Sequence, residues 1–93
     1  MKIILRPFGT LQLYFGEGRI EVDCPPGITF FKLCEVIDER WGSRLPPSLW
    51  NAASRRFVAQ VIVMIDGKEL SAQGDPIICE GQEILLLLPF EGG

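Results

Sequence analysis

The spacing of apolar residues along the chain distinguishes one amphipathic helix from several strands. From Phe30 to Trp41 the apolar residues recur three and four positions apart, which is the period of one helical face. Thr29 precedes this segment as an N-cap candidate, and Gly42 follows it as a natural stop. The pattern therefore predicts a helix over residues 30–41 with one buried face.

Shorter segments carry the β-branched and apolar residues that are typical of strands. The predicted strands are 2–8, 19–23, 57–65, 68–70 and 82–88. We expect the first two to form a hairpin in which residues 9–18 are the connection. Asp66-Gly67 predicts a tight turn between the next two strands.

This order of elements predicts an α+β architecture, in which the helix lies across one face of a small mixed sheet of four to five strands. A chain of 93 residues has the length of one domain. We assign residues 1–88 to that domain and residues 89–93 to a flexible C-terminal tail. Residues 43–56 are predicted to be irregular; a short helical turn over 48–53, with Trp50 directed inward, is left open.

The last predicted strand is apolar on both faces. In a strand, the even-numbered residues of 84–88 face one way and the odd-numbered residues face the other. A helix on one face of the sheet covers only one of these two sets. Either a loop such as residues 43–56 covers the other set, or a partly exposed apolar face docks a partner. Residues 61–65 show the same lack of alternation.

Composition and charge exclude several classes of protein. The net charge is −3 and the basic residues are scattered, which argues against nucleic-acid binding. No segment approaches the roughly 20 apolar residues of a membrane span, and the N-terminus lacks the features of a signal peptide. We therefore expect a cytoplasmic protein with no membrane partner. The cysteines are expected to be reduced, buried small hydrophobes; they are Cys24, Cys34 and Cys79.

The chain contains no histidine, and this removes the commonest general base and the commonest metal ligand. A Ser-His-Asp or Cys-His catalytic unit cannot be built, and three separated cysteines do not make a zinc site. No acid–base pair stands out among the carboxylates. We therefore expect no metal site, no bound cofactor and no autonomous enzyme activity.

The chain ends in LLLLPFEGG, which indicates a functional tail. Pro89 ends the strand because it has no N–H to donate. Residues 89–93 span at most about 17 Å when extended. Gly92 and Gly93 have no side chains, so they fit a narrow channel, and the last reactive group is the Gly93 carboxylate. An incidental, disordered terminus is the alternative interpretation.

The succession of elements resembles the β-grasp, or ubiquitin-like, fold, and the segment EGQEILLLLPFEGG resembles the end of MoaD/ThiS-family sulfur carriers. In MoaD-type members an acidic-Gly-acidic-acidic turn leads into an apolar strand, a proline, two variable residues and Gly-Gly. Residues 80–83 match that turn except at Gln82, and Pro89 and the final diglycine match the tail. The length is closer to the MoaD branch than to the shorter ThiS branch.

Two departures from the MoaD pattern concern the tail. Leu88 stands where many such tails carry a first proline, and Phe90-Glu91 is bulkier and more acidic than the usual pair. These departures bear on the particular pathway more than on the carrier role.

The resemblance implies a carrier that acts with partner enzymes. An E1-like adenylyltransferase of the MoeB/ThiF type would use ATP to adenylate the Gly93 carboxylate, and a sulfur donor protein would convert it to a thiocarboxylate. In the MoaD branch, the acceptor would be the molybdopterin precursor, held in the large subunit of molybdopterin synthase. The chain would be the sulfur-donating subunit and would bind no cofactor of its own.

The resemblance also implies a division of the site residues. Gly92 and Gly93 would be the reactive end. The partner's active site would also receive the three residues before them, Pro89, Phe90 and Glu91. The hydrophobic contacts of the family fall on Phe8, Leu70 and Leu87. Other interpretations stay open: a sulfur carrier for thiamine or cysteine biosynthesis, a ubiquitin-like modifier conjugated to lysines, or a β-grasp binding module with an incidental tail.

Overall fold

A computed structural model describes residues 1–71 and 74–89 of the chain. Its strands and helices follow one another as β1 (Lys2–Pro7), α1 (Leu11–Phe15), β2 (Ile20–Asp23), α2 (Phe30–Trp41), β3 (Trp50–Asn51), β4 (Arg56–Phe57), β5 (Ile62–Ile65), β6 (Lys68–Glu69) and β7 (Glu83–Leu87).

The main sheet has five strands in the order β2-β1-β7-β5-β6. The two strands β1 and β7 are parallel neighbours at its centre, and the other pairs are antiparallel. The apolar side of α2 is buried with one face of this sheet in the core. The predicted mixed sheet with one main helix, a β-grasp fold, is confirmed.

The helix α2 has the bounds that the apolar spacing predicts. The hydroxyl oxygen of Thr29 accepts a hydrogen bond from the backbone N–H of Lys32 at 3.3 Å, which satisfies one of the free donors of the first turn. At the other end, Gly42 is needed for space, because a Cβ there would collide with the backbone oxygen and side chain of Asp38.

The hairpin of β1 and β2 is confirmed, but its connection contains a helix that the sequence did not predict. Residues Leu11–Phe15 form the single-turn helix α1, which ends where Gly16 takes the left-handed conformation with φ of 87°. Leu11 and Phe15 are buried and lie four residues apart, so they share one side of α1. Burial of these two side chains in the core stabilises a helix that is too short to form alone in water.

Residues 43–56 do not form the helical turn over 48–53. Instead, β3 and β4 make a two-stranded hairpin in which Trp50 pairs with Phe57. The side chain of Asn51 accepts hydrogen bonds from the backbone of Ala53 and Ser54 at 3.0 and 3.1 Å, and this reverses the chain. The inward direction of Trp50 is confirmed, since its ring is buried.

The predicted strand over 57–65 is wrong in its first half, because Phe57 belongs to the small hairpin. The backbone N–H of Val58 bonds to Leu49, and that of Val61 bonds back to Val58, so the chain turns before β5 begins. The hairpin is fixed to α2 by a 2.9 Å hydrogen bond from Trp50 Nε1 to Asp38 Oδ1. It therefore lies on the helix side of the sheet.

Candidate docking face and tail

The two faces of β7 differ in what covers them. Ile84 and Leu86 are fully buried beneath α2, whereas Leu85 and Leu87 on the opposite face are half-buried. The β3–β4 hairpin lies on the helix side and does not cover this second face. Of the two alternatives that the sequence leaves open, the structure therefore favours a partly exposed apolar face.

The strand register extends that face across three strands. Leu87 lies opposite Ile62, and Leu85 lies opposite Met64 on β5. On β1, alternation places half-buried apolar residues on the same side. We call this surface the outer apolar patch; its residues are Ile4, Phe8, Ile62, Met64, Leu85 and Leu87. The half-buried apolar residues that pack against the core form a separate set, which includes Leu88.

One ion pair crosses the outer apolar patch. Arg6, whose register partner on β7 is Leu85, places its Nη1 3.3 Å from Oε1 of Glu83. The same guanidinium lies 5.6 Å from the centre of the Phe8 ring. Both charged side chains are partly exposed, so the pair contributes little to stability. The two charges of this ion pair offset one another within the patch.

The structure brings two of the three predicted hydrophobic contacts together. Phe8 and Leu87 both belong to the outer apolar patch, at the end of the sheet where β1 and β7 finish. Pro89 is exposed two residues beyond Leu87. The rest of the predicted tail, Phe90, Glu91, Gly92 and Gly93, lies outside the described residues.

Leu70 does not share this surface. Its backbone N–H donates to the oxygen of Val63 at 2.8 Å, and both residues line a pocket of about 440 Å³ with Phe30 and Phe31 of α2. The register of the β5–β6 hairpin therefore turns Leu70 toward the helix side, where it packs against the core. Leu70 therefore lies on the opposite side of the sheet from Phe8 and Leu87, and its contact with a partner stays a prediction.

The cysteines separate into two kinds. Cys24 and Cys34 are buried as predicted, whereas Cys79 is exposed, contrary to the prediction. Burial raises the pKa of Cys24, and it raises the pKa of Cys34 to about 12, so neither thiol is set up as a nucleophile. Within the part of the chain that the structure describes, no three His, Cys, Asp or Glu side chains come together as a metal site would need.

Several residues of the outer apolar patch were not singled out from the sequence. Ile62, Met64 and Leu85 are half-buried on the same face as Leu87, and Ile4 extends the patch along β1. The available signal was the lack of alternation in 61–65 and 84–88. This pattern indicated that both strands are apolar on both faces. It did not show which residues of the two strands lie opposite one another, so the patch could not be assembled from it.

The searches with the sequence found no match: no family model matches the chain, and no curated protein does. Solved structures do match. SAMP1 (small archaeal modifier protein 1) from Haloferax volcanii superposes with a TM-score of 0.80 at 16% identity, over all of both chains. Urm1 from Trypanosoma brucei gives 0.76 at 13% identity, over 99% of this chain and 95% of that one.

A candidate molybdopterin converting factor, subunit 1, from Pyrococcus furiosus gives a TM-score of 0.68 at 17% identity, over 96% of this chain and 98% of that one. At these identities the similarity establishes the fold, which is the β-grasp fold of ubiquitin-like proteins. Across residues 1–71 and 74–89, no helix has the length and apolar content needed to cross a membrane.

Proposed function

We propose that the chain is a ubiquitin-like sulfur carrier whose Gly93 carboxylate is activated and loaded by partner enzymes. The observation that carries the proposal is the continuity of the outer apolar patch with the C-terminus. Leu87 lies in the patch, and after two more residues the chain runs into the segment Phe90–Gly93. A partner that docks on the patch would lie beside the end of β7, from which the chain continues to the diglycine.

The first chemical step overcomes the low reactivity of a carboxylate. The group has an ordinary pKa of about 3.5 and is a resonance-stabilised anion at neutral pH. In an E1-like adenylyltransferase, one Gly93 oxygen would attack the α-phosphorus of ATP. The bond to the β-phosphate breaks, pyrophosphate leaves, and an acyl-adenylate forms. The chain supplies only the carboxylate, consistent with its lack of histidine.

The second step exchanges oxygen for sulfur. Hydrosulfide attacks the acyl carbon, AMP leaves with the carbon–oxygen bond pair, and a thiocarboxylate remains on Gly93. If a persulfide of a sulfur donor protein attacks instead, the product is an acyl disulfide, and a thiol must reduce its S–S bond to release the thiocarboxylate. That sulfur is the nucleophile delivered to the acceptor enzyme.

The proposed pathway is molybdopterin biosynthesis, with the large subunit of molybdopterin synthase as acceptor. The support is the MoaD-like ending of the sequence and the fold shared with a candidate molybdopterin converting factor. Sulfur transfer to thiamine or cysteine biosynthesis would use the same loaded end and differ only in the acceptor.

A second function, protein modification, is favoured by the fold shared with small archaeal modifier protein 1. The same adenylate would then be transferred to a lysine amine, forming an isopeptide and releasing AMP. The two functions separate in cells: conjugates of higher mass carrying the chain support a modifier, and a thiocarboxylate on the free chain without conjugates supports a carrier.

The test of the proposed function uses a strain that lacks the gene for this chain. A variant extended by one alanine after Gly93 should fail to restore molybdoenzyme activity, because its terminal carboxylate is displaced from the reactive position. Leu87→Asp should also fail, because it places a charge in the outer apolar patch. Ile77→Asp, at an exposed apolar residue outside the patch, is the matched control and should restore activity. Full activity of the extended chain, without trimming, would contradict the proposal.

A further inference from the structure

We infer that Leu13 is an anchor that inserts into an apolar pocket of the adenylating enzyme, next to the channel that receives the tail. This inference rests on the proposed function, since it concerns the enzyme that activates Gly93. It adds a contact outside the outer apolar patch.

The helix α1 lies at the end of the sheet from which the tail leaves. Because β1 and β7 are parallel, their last residues lie at the same edge. The backbone N–H of Phe8, the first residue after β1, donates to the oxygen of Leu86 at 3.0 Å. From Phe8 the chain turns at once into α1, where the N–H of Leu11 bonds to the oxygen of Phe8 at 3.2 Å. On the other strand, Pro89 follows Leu86 by three residues.

Leu13 faces away from the core on this helix. Leu11 and Phe15 bury one side of α1, and a residue two positions from each of them points to the opposite side. Leu13 is 79% exposed, more than the other exposed large apolar residue of the described chain, Ile77 at 64%. A single exposed leucine is ordinary on a protein surface, so its position relative to the tail carries the argument.

The length of the tail fixes where the enzyme must lie. Four residues follow Pro89, and when extended they span at most about 14 Å. An enzyme whose active site reaches the Gly93 carboxylate must therefore bring its surface against the end of the sheet around Pro89. Leu13 belongs to the helix that begins at that end, so the inference places its side chain against the same enzyme surface.

The chemistry of α1 indicates an apolar contact. Its sequence, LQLYF, carries no charged residue, and the helix begins three residues after Phe8 of the outer apolar patch. Burial of a leucine side chain in a partner pocket is favourable because apolar surface leaves water. Since no charge is involved, the contribution of Leu13 should change little with salt concentration.

The experiment measures ATP–pyrophosphate exchange by each E1-like adenylating enzyme of the source organism, with this chain as the second substrate. Leu13→Asp and the uncharged Leu13→Gln should raise the KM for the chain by about tenfold, as expected for a central apolar contact, with kcat little changed. Ile77→Asp is the matched control. It changes the other highly exposed apolar residue, which pairs with Thr29 at the start of α2, at the opposite end of the sheet. Its KM should equal that of the wild type.

The outcomes separate the two proposals. If the wild-type chain supports no exchange with any of these enzymes, the proposed function fails and this inference fails with it. If the wild type is active and the Leu13 variants have its KM, only the inference is overturned. Sedimentation of the wild type and the same variants tests whether Leu13 instead contacts a second copy of the chain. A wild-type dimer that Leu13→Asp dissociates, with the KM unchanged, would also overturn the inference.

Discussion

The two neighbouring leucines Leu86 and Leu87 should differ sharply in what their truncation costs. Leu86 is fully buried beneath α2, and Leu87 is half-buried on the outer apolar patch. Leu86→Ala removes buried methyl groups and leaves a cavity, which lowers the free energy of unfolding by about 3 kcal/mol. Leu87→Ala leaves no closed cavity, because water reaches the vacated space, so we expect a loss of about 1 kcal/mol.

The difference is large on the scale of the whole domain. A domain of this size is stable by roughly 5–14 kcal/mol, so the Leu86 variant would lose a substantial fraction of its stability. A loss of about 3 kcal/mol corresponds to a fall in Tm of roughly 12–24 °C, and the Leu87 variant should fall by roughly 4–8 °C. The assay is urea unfolding followed by tryptophan fluorescence, which reports on the buried Trp41 and Trp50.

Equal losses in the free energy of unfolding of the two variants would refute the claim that one face of β7 is covered and the other is not. Such a result would mean that the patch is covered in solution, and the proposed docking face would be lost. Unchanged slopes of the unfolding transitions with urea are the required control, because a changed slope signals an altered denatured state.

Three further predictions concern the helix α2: two of its contacts and one of its buried side chains. Trp50→Phe removes the hydrogen bond to Asp38 and should lower the free energy of unfolding by about 1–3 kcal/mol; a double-mutant cycle with Asp38→Ala that shows no coupling would contradict this. Thr29→Ala should cost about 1 kcal/mol through the lost cap, and Thr29→Ser almost nothing, both measured by thermal unfolding. Burial raises the pKa of the Cys34 thiol from 9.0 to about 12, so the unfolded chain loses this proton at a lower pH than the folded chain does. The free energy of unfolding should therefore fall above pH 9, by at most about 1.4 kcal/mol per pH unit. Urea unfolding of Cys34→Ala should lack this part of the pH dependence.

Local signals in the sequence account for the elements that were predicted well. The helix α2 has an apolar period, a capping threonine and a terminal glycine, all within a short segment. The turn at Asp66-Gly67 needs two left-handed residues, and the structure has φ of 50° and 80° there. In both cases the residues that fix the conformation lie next to one another along the chain.

The remaining features depend on contacts between distant segments. The helix α1 spans a single turn, which is too short to show a period, and it exists because Leu11 and Phe15 are buried. The side taken by Leu70 depends on the β5–β6 register, which no local pattern fixes. The outer apolar patch could be predicted only in part. The sequence indicates two strands that are apolar on both faces, but the packing of the β3–β4 hairpin decides which face stays uncovered.

The most direct test of the central claim is the intact mass of the chain after incubation with ATP, hydrosulfide and an E1-like adenylating enzyme of the source organism. The account predicts a product heavier by the difference between sulfur and oxygen, with the added mass located at Gly93 by fragmentation. A chain that stays at its starting mass with every such enzyme, or that gains sulfur at Cys79 and not at Gly93, would contradict it.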